Sequence, residues 1–166
     1  MSNVRKSAII IVALLAVAAV QIAYYAPRLP ETVASHFNAA GIPNNWEPKQ
    51  LFLELYVVVL LGVTVVYVLV PRLIGILPPA MINLPNKSYW LAPERRAATT
   101  EYFLDHFAIF GAGTLALLLM IFQLCISANV SVQTRFPSAL AWGISVAYLL
   151  FVGMWVMTLF LKFRRV

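Results

Sequence analysis

Two histidines, six acidic residues and one cysteine are the side chains of this chain that could carry acid–base, nucleophilic or metal chemistry near neutral pH. His36 lies near Glu31, Glu47 and Glu54 in the sequence. Imidazole titrates near neutrality and ligates transition metals, so a metal site or a pH-sensitive latch is one reading of that set. One histidine with scattered carboxylates is a weak metal pattern. The plainer readings are that His36 and Asn38 hydrogen-bond loop backbone and hold its shape, or that they touch a ligand. Glu101 and Asp105 stand four apart on one helix face beside His106, which suits either a small cation site or a solvated face. Cys125 is alone and gives neither an internal disulfide nor a zinc site. Catalytic spacing is missing: there is no HExxH, no GxSxG and no carboxylate pair within an apolar run. Cys125 and His106, 19 residues apart, would sit roughly 28 Å apart along one helix. A binding protein is expected rather than an enzyme, with no cofactor and no metal.

The elements that must position these residues are apolar. Of 166 residues 62% are hydrophobic and 11% charged, with a mean hydropathy of +0.86, which identifies an integral membrane protein. Four runs are long enough to cross a hydrocarbon core: residues 7–25, 51–70, 104–127 and 138–161. Residues 7–25 read as an uncleaved anchor rather than a signal peptide, because the run is long and more spans follow. Tyr24 and Tyr25 suit an interfacial belt, and Pro27 and Pro30 stop the helix. Pro48 opens the second span and Pro71 is expected to close it, with Glu54 at interface depth. Residues 71–92, broken by Pro71, Pro78, Pro79 and Pro85, suit a chain lying along the interface, with Tyr89 and Trp90 as anchors and Arg72 and Lys87 reaching headgroups. A helix begins at Pro93, with Glu94 in its first turn, and can run to about Ser127, so its first turns project into water. The expected fold is all-α: one membrane domain, residues 1–166, with four transmembrane helices in an antiparallel bundle. Small residues at i, i+4 mark the expected packing faces: Ala139, Gly143 and Ala147; Ala108, Ala112 and Ala116; Ala19 and Ala23.

The cations give the orientation. With a cytoplasmic N-terminus, nine of the twelve Lys and Arg fall inside (Arg5, Lys6, Arg72, Lys87, Arg95, Arg96, Lys162, Arg164 and Arg165) and three outside (Arg28, Lys49 and Arg135). That bias places both termini in the cytoplasm and the 27–49 loop outside. The net charge of +6 is spent on these clusters beside apolar runs and not on a helix face, which argues against a nucleic-acid partner.

The outer loop, twenty residues between Pro27 and Pro48, is long for a connection between neighbouring antiparallel helices and is expected to be ordered. Val33, Ser35 and Phe37 alternate with Ala34, His36 and Asn38 as in a short extended piece. Gly41 offers a positive φ, and Pro43, Asn44 and Asn45 are expected to form a turn. The phrase LPETVASHFNAAGIPNNWEPK, with spans on both sides, resembles a bacterial membrane domain of unknown function found at the N-terminus of SdpI-type immunity and signalling proteins. Leu29, Pro30, His36, Phe37, Asn38, Gly41, Pro43, Trp46 and Lys49 carry the resemblance, over about residues 10–70. Asn44 and Asn45 stand where that family more often has aspartate, and the second half of the chain shows no clear match to those immunity proteins.

The resemblance implies a multi-pass protein of the bacterial cytoplasmic (inner) membrane with an immunity or signal-relay role. A peptide would bind at His36, Phe37, Asn38, Gly41, Pro43, Trp46 and Lys49. A protein regulator would bind inside, at Tyr89, Trp90, Glu94, Arg95 and Arg96. The alternative is a structural or accessory subunit of a larger membrane complex, its small-residue stripes binding other spans. A proton- or ion-coupled transporter is disfavoured, because the midplane depths offer only neutral residues such as Thr64 and Thr114.

Overall fold

A computed structural model describes the backbone of residues 3–164 and the side chains of residues 8–164. The side chains of Arg5 and Lys6, and the whole of Arg165, lie outside the described residues. The chain runs α1 (Asn3–Tyr25), a two-stranded hairpin β1 (Thr32–Phe37) and β2 (Pro43–Pro48), α2 (Lys49–Leu69), two short helical turns α3 (Leu73–Ile76) and α4 (Lys87–Trp90), then α5 (Pro93–Val130) and α6 (Ser138–Arg164). Four of these helices are long and apolar enough to cross a membrane. Each satisfies its own backbone along its length, which hydrocarbon requires.

Prolines punctuate the chain, though not always as expected. α1 ends at Tyr25, where the Arg28 and Leu29 amides both bond back to the Tyr25 carbonyl. Pro48 is the N-cap of α2. Pro71 does not close the second span: it sits in the first turn of a 3-10 segment, Val70–Arg72, where its missing N–H costs no bond, and the helical path continues into α3. Pro78 follows the end of α3, whose last cap at Leu77 is already extended. Pro93 opens α5, and Glu94 occupies its first turn.

α5 is the axis of the molecule, with α1, α2 and α6 each packed on it. Ile11 and Ala18 of α1, Tyr56 and Leu60 of α2, and Leu115 and Leu119 of α5 form the central apolar cluster. α2 approaches α5 closely at Gly111, where a Cβ would lie 2.9 Å from the Tyr67 Cβ. A polar cluster crosses the same three helices. Tyr56 donates to the Gln21 side-chain oxygen, and Gln21 Nε2 donates to Gln123 Oε1 at 2.8 Å.

The small-residue stripes do not all mark packing faces. Ala108, Ala112 and Ala116 of α5 are half-buried, but Ala139, Gly143 and Ala147 of α6 and Ala19 and Ala23 of α1 are exposed. α6 instead meets α5 through aromatic rings: Trp155 stacks on Phe110 at 4.4 Å and on His106 at 4.8 Å.

The segment between α3 and α5 folds back against the helices. Ile82, Leu84 and Leu91 are buried with Phe103 of α5 and Phe163 of α6. Asn86, at φ +51°, donates to the carbonyls of Phe163 and Arg164 at 3.1 Å, and the Trp90 indole donates to Phe163 at 3.2 Å. These bonds satisfy carbonyls that the end of a helix leaves open.

Candidate binding site at the hairpin end

The hairpin is built around Asn38. Its side-chain oxygen accepts from the amides of Ala40 and Ile42, both at 3.0 Å, and its own amide donates to the Ile42 carbonyl at 2.9 Å. The turn therefore falls at Asn38–Ile42. Pro43, Asn44 and Asn45, expected to turn, instead begin β2, with Pro43 opposite Phe37, Asn45 opposite His36 and Trp46 opposite Ala34. The positive φ is at Gly41, at +77°. A Cβ there would lie 2.2 Å from the Phe136 carbonyl oxygen, so the position has neither the conformation nor the room for a side chain. Gly41 accepts from the Phe136 amide at 2.9 Å, and the Phe37 and Phe136 rings stack at 5.1 Å. These contacts fix the hairpin tip to the link between α5 and α6.

Its base is held from two sides. Lys49 Nζ lies 2.8 Å from Glu31 Oε1, and its amide donates to the Glu31 carbonyl at 2.9 Å. On the other side, Asn129 in the last turn of α5 uses its carboxamide as a strand would use its peptide. It accepts from the Ala34 amide at 2.7 Å and donates to the Ala34 carbonyl at 2.9 Å. Val33 and Ala34 are fully buried beneath it.

Between this hairpin and the first two turns of α6 lies a cleft of about 400 Å³. β1 and the turn contribute Ser35, His36, Phe37, Asn38 and Ala39, and α5 contributes Cys125. Phe136 closes the tip, and α6 presents Ser138, Ala141, Trp142 and Ser145, the i, i+3, i+4, i+7 face of a helix. The wall is apolar and aromatic, with three serine hydroxyls, an imidazole and a carboxamide at its edges, and no carboxylate lines it. Ser145 donates to the Ala141 carbonyl at 2.8 Å, and His36 Nδ1 is paired with Asn44 Oδ1. A mixed wall of this size suits a hydrophobic group carrying a few hydrogen-bonding atoms.

Of the residues expected in an outer site, His36, Phe37 and Asn38 line the cleft, and Gly41 shapes its rim. Pro43 is half-buried in β2, Trp46 is exposed on the hairpin, and Lys49 is engaged by Glu31. The nearby carboxylates are turned to other partners: Glu47 accepts from Asn45 and Glu54 from Gln50. Among the described residues no three of His, Cys, Asp and Glu gather as a metal-binding group. Sequence reasoning missed Asn129, Trp142 and Ser145. A serine and a tryptophan three residues apart on an apolar run gave the available signal, but nothing in the run said which face would meet the hairpin.

The inner set lies at the other end of α5. Arg95 stacks over the Tyr89 ring at 3.8 Å, and Trp90 is half-buried against Phe163. Glu94 is exposed. Arg96 is committed internally, with Nε and Nη2 donating to the Ile74 carbonyl at 3.2 and 3.0 Å. His106 is stacked between Tyr102 and Trp155, and its Nε2 lies 3.2 Å from the Trp155 carbonyl.

Residues 9–63 match the family model described as a domain of unknown function, DUF1648. The match takes in most of α1, the hairpin and much of α2, and stops before the α6 wall of the cleft. No curated protein and no solved structure matches the chain. The protein is thus a multi-pass membrane protein whose first third matches a domain without an assigned role.

Proposed function

We propose that this protein binds an amphipathic, membrane-active peptide in the cleft between the hairpin and α6, and relays its presence to a protein regulator at the far end of α6, in an SdpI-like immunity or signalling role. The helices would form an antiparallel bundle in a bacterial cytoplasmic membrane, with both termini inside and the hairpin outside. The chain would act by binding rather than by catalysis.

The observation that carries this reading is the composition of the cleft. One wall comes from the hairpin of the matched domain and the other from α6, so an occupant would touch both. α6 is a continuous helix of 27 residues, roughly 40 Å long at 1.5 Å per residue. Its other end is tied by Asn86 and Trp90 to the segment carrying Tyr89, Glu94 and Arg95. In this reading a displacement of α6 at the cleft is carried along the helix to that end.

The test fills the cleft. Ala141→Trp places a large ring into the α6 wall without touching the hairpin bonds. At normal membrane level it is expected to abolish survival against the cognate peptide and its binding, while Ala147→Trp, on the exposed face of α6, leaves both intact. Unchanged survival and binding in Ala141→Trp would refute the reading.

A second reading has its own observation. The exposed stripe of Ala139, Gly143 and Ala147 leaves α6 a smooth face, which another span could cover in a larger membrane complex. A lone monomer in native-detergent mass measurement would count against it.

A further inference from the structure

At the end of the molecule where α5 begins and α6 ends, a groove runs between the two helices beside α4. Its inner lobe, about 240 Å³, has Arg95, Tyr102, Lys162 and Phe163 in its wall; an adjoining outer lobe, about 540 Å³, runs along α6 past Thr158 and Leu161. Trp90, Tyr102 and Lys162 line both. We propose that this groove binds the phosphate-bearing headgroup of an anionic membrane lipid, with its acyl part lying in the outer lobe.

Charge is the first argument. Arg95 comes from the first turn of α5 and Lys162 from the last turn of α6, so two cations from separate elements face one groove. No acidic residue lines either lobe. Among the described residues, neither cation forms an ion pair with a carboxylate. Both are held by ring faces instead: Lys162 Nζ lies 5.2 Å from the Trp90 centroid and 5.4 Å from that of Tyr102, and the Arg95 guanidinium lies 3.8 Å from Tyr89. A ring face positions a cation but accepts no conventional hydrogen bond, so the N–H donors stay available for phosphate oxygens.

Shape and place are the second argument. The groove lies at the ends of two helices long and apolar enough to cross a membrane, which in the proposed arrangement is the level of the bilayer surface. Its outer lobe continues down α6 over exposed Leu161, a path for an acyl chain that a free phosphate would leave empty. Basic pockets between transmembrane helices recognise anionic headgroups in this manner. A bound headgroup would bridge α5 and α6 at the level where α4 caps the end of α6, and would thereby stabilise the junction.

The test uses the full chain in an uncharged detergent and reads the thermal unfolding midpoint. The probes are short-chain phosphatidylglycerol, phosphatidylcholine with the same acyl chains, and inorganic phosphate. Phosphatidylglycerol is expected to raise the midpoint in a concentration-dependent way. Arg95→Gln and Lys162→Gln are each expected to weaken the apparent affinity about fivefold, while Arg135→Gln, in the α5–α6 link at the opposite end of the molecule, keeps the full response. An equal response to phosphatidylcholine, or a full response in the Arg95→Gln/Lys162→Gln double variant, would overturn the site. Inorganic phosphate matching phosphatidylglycerol at equal concentration would overturn the lipid assignment.

Discussion

Asn129 holds the base of the hairpin, because its side chain satisfies both backbone polar groups of the buried Ala34. Its carboxamide donates to one atom of Ala34 and accepts from another, and it is itself only 7% exposed. Asn129→Asp keeps the shape but turns the donor into an acceptor, placing a carboxylate against the Ala34 carbonyl. The expected cost is roughly 2–4 kcal/mol of local stability, since a buried group is left unpaired and a charge is desolvated. A cysteine at Ser35 in a Cys125→Ser background reports this as faster thiol labelling in Asn129→Asp, and an unchanged rate would show that the hairpin docks by other means. The hairpin motif made His36, Asn38 and Gly41 legible as a group, but not their division of labour. Asn38 and Gly41 shape backbone, whereas His36 is left at the cleft edge. Asn129 was not legible, because it lies 95 residues from its partner in a run that reads only as helix.

At the scale of elements, hydropathy located the four long helices because lipid sets their minimum length and tolerates few charges. It could not say which face of each helix meets another. In lipid both the packed and the lipid-facing sides are apolar, so no amphipathic stripe distinguishes them. That is why the small-residue stripe of α6 is exposed while Tyr148, Phe151 and Trp155 meet Phe110 of α5. The turn was misplaced for a different reason: Pro43, Asn44 and Asn45 have turn chemistry, but the Asn38 carboxamide and the positive φ of Gly41 close the chain five residues earlier. Pro71 misled in the same way, since a proline in the first turn of a helical segment costs no bond. The coupling of α1, α2 and α5 through Tyr56, Gln21 and Gln123 makes a direct prediction. Tyr56→Phe leaves the ring stack on Phe122 but removes the hydroxyl. It should lower stability by about 1 kcal/mol, within the range found for hydrogen bonds between membrane helices. Reversible unfolding in detergent measures it, and a loss below a few tenths of a kcal/mol would mark the cluster as incidental.

For the whole molecule, the proposed relay rests on α6. It is fixed near the middle by Phe110, His106 and Trp155, fixed at its end by Asn86 and Trp90, and separated from the hairpin at its beginning by the cleft. A ligand that enters the cleft meets α6 in its first two turns, just past the Phe136 contacts that tie the hairpin tip to the α5–α6 link. The proposed orientation, with the cleft away from the cytoplasm, rests on the cations: Arg28, Lys49 and Arg135 on the hairpin side against the larger number at the other end. Ala39, exposed and on the cleft wall, reports orientation and occupancy together. The decisive measurement is labelling of Ala39→Cys, in a Cys125→Ser background, by a membrane-impermeant maleimide on intact cells with and without the membrane-active peptide. Rapid labelling that the peptide slows severalfold is the predicted result; labelling that requires broken cells, or that proceeds at one rate whether or not the peptide is present, would contradict the account.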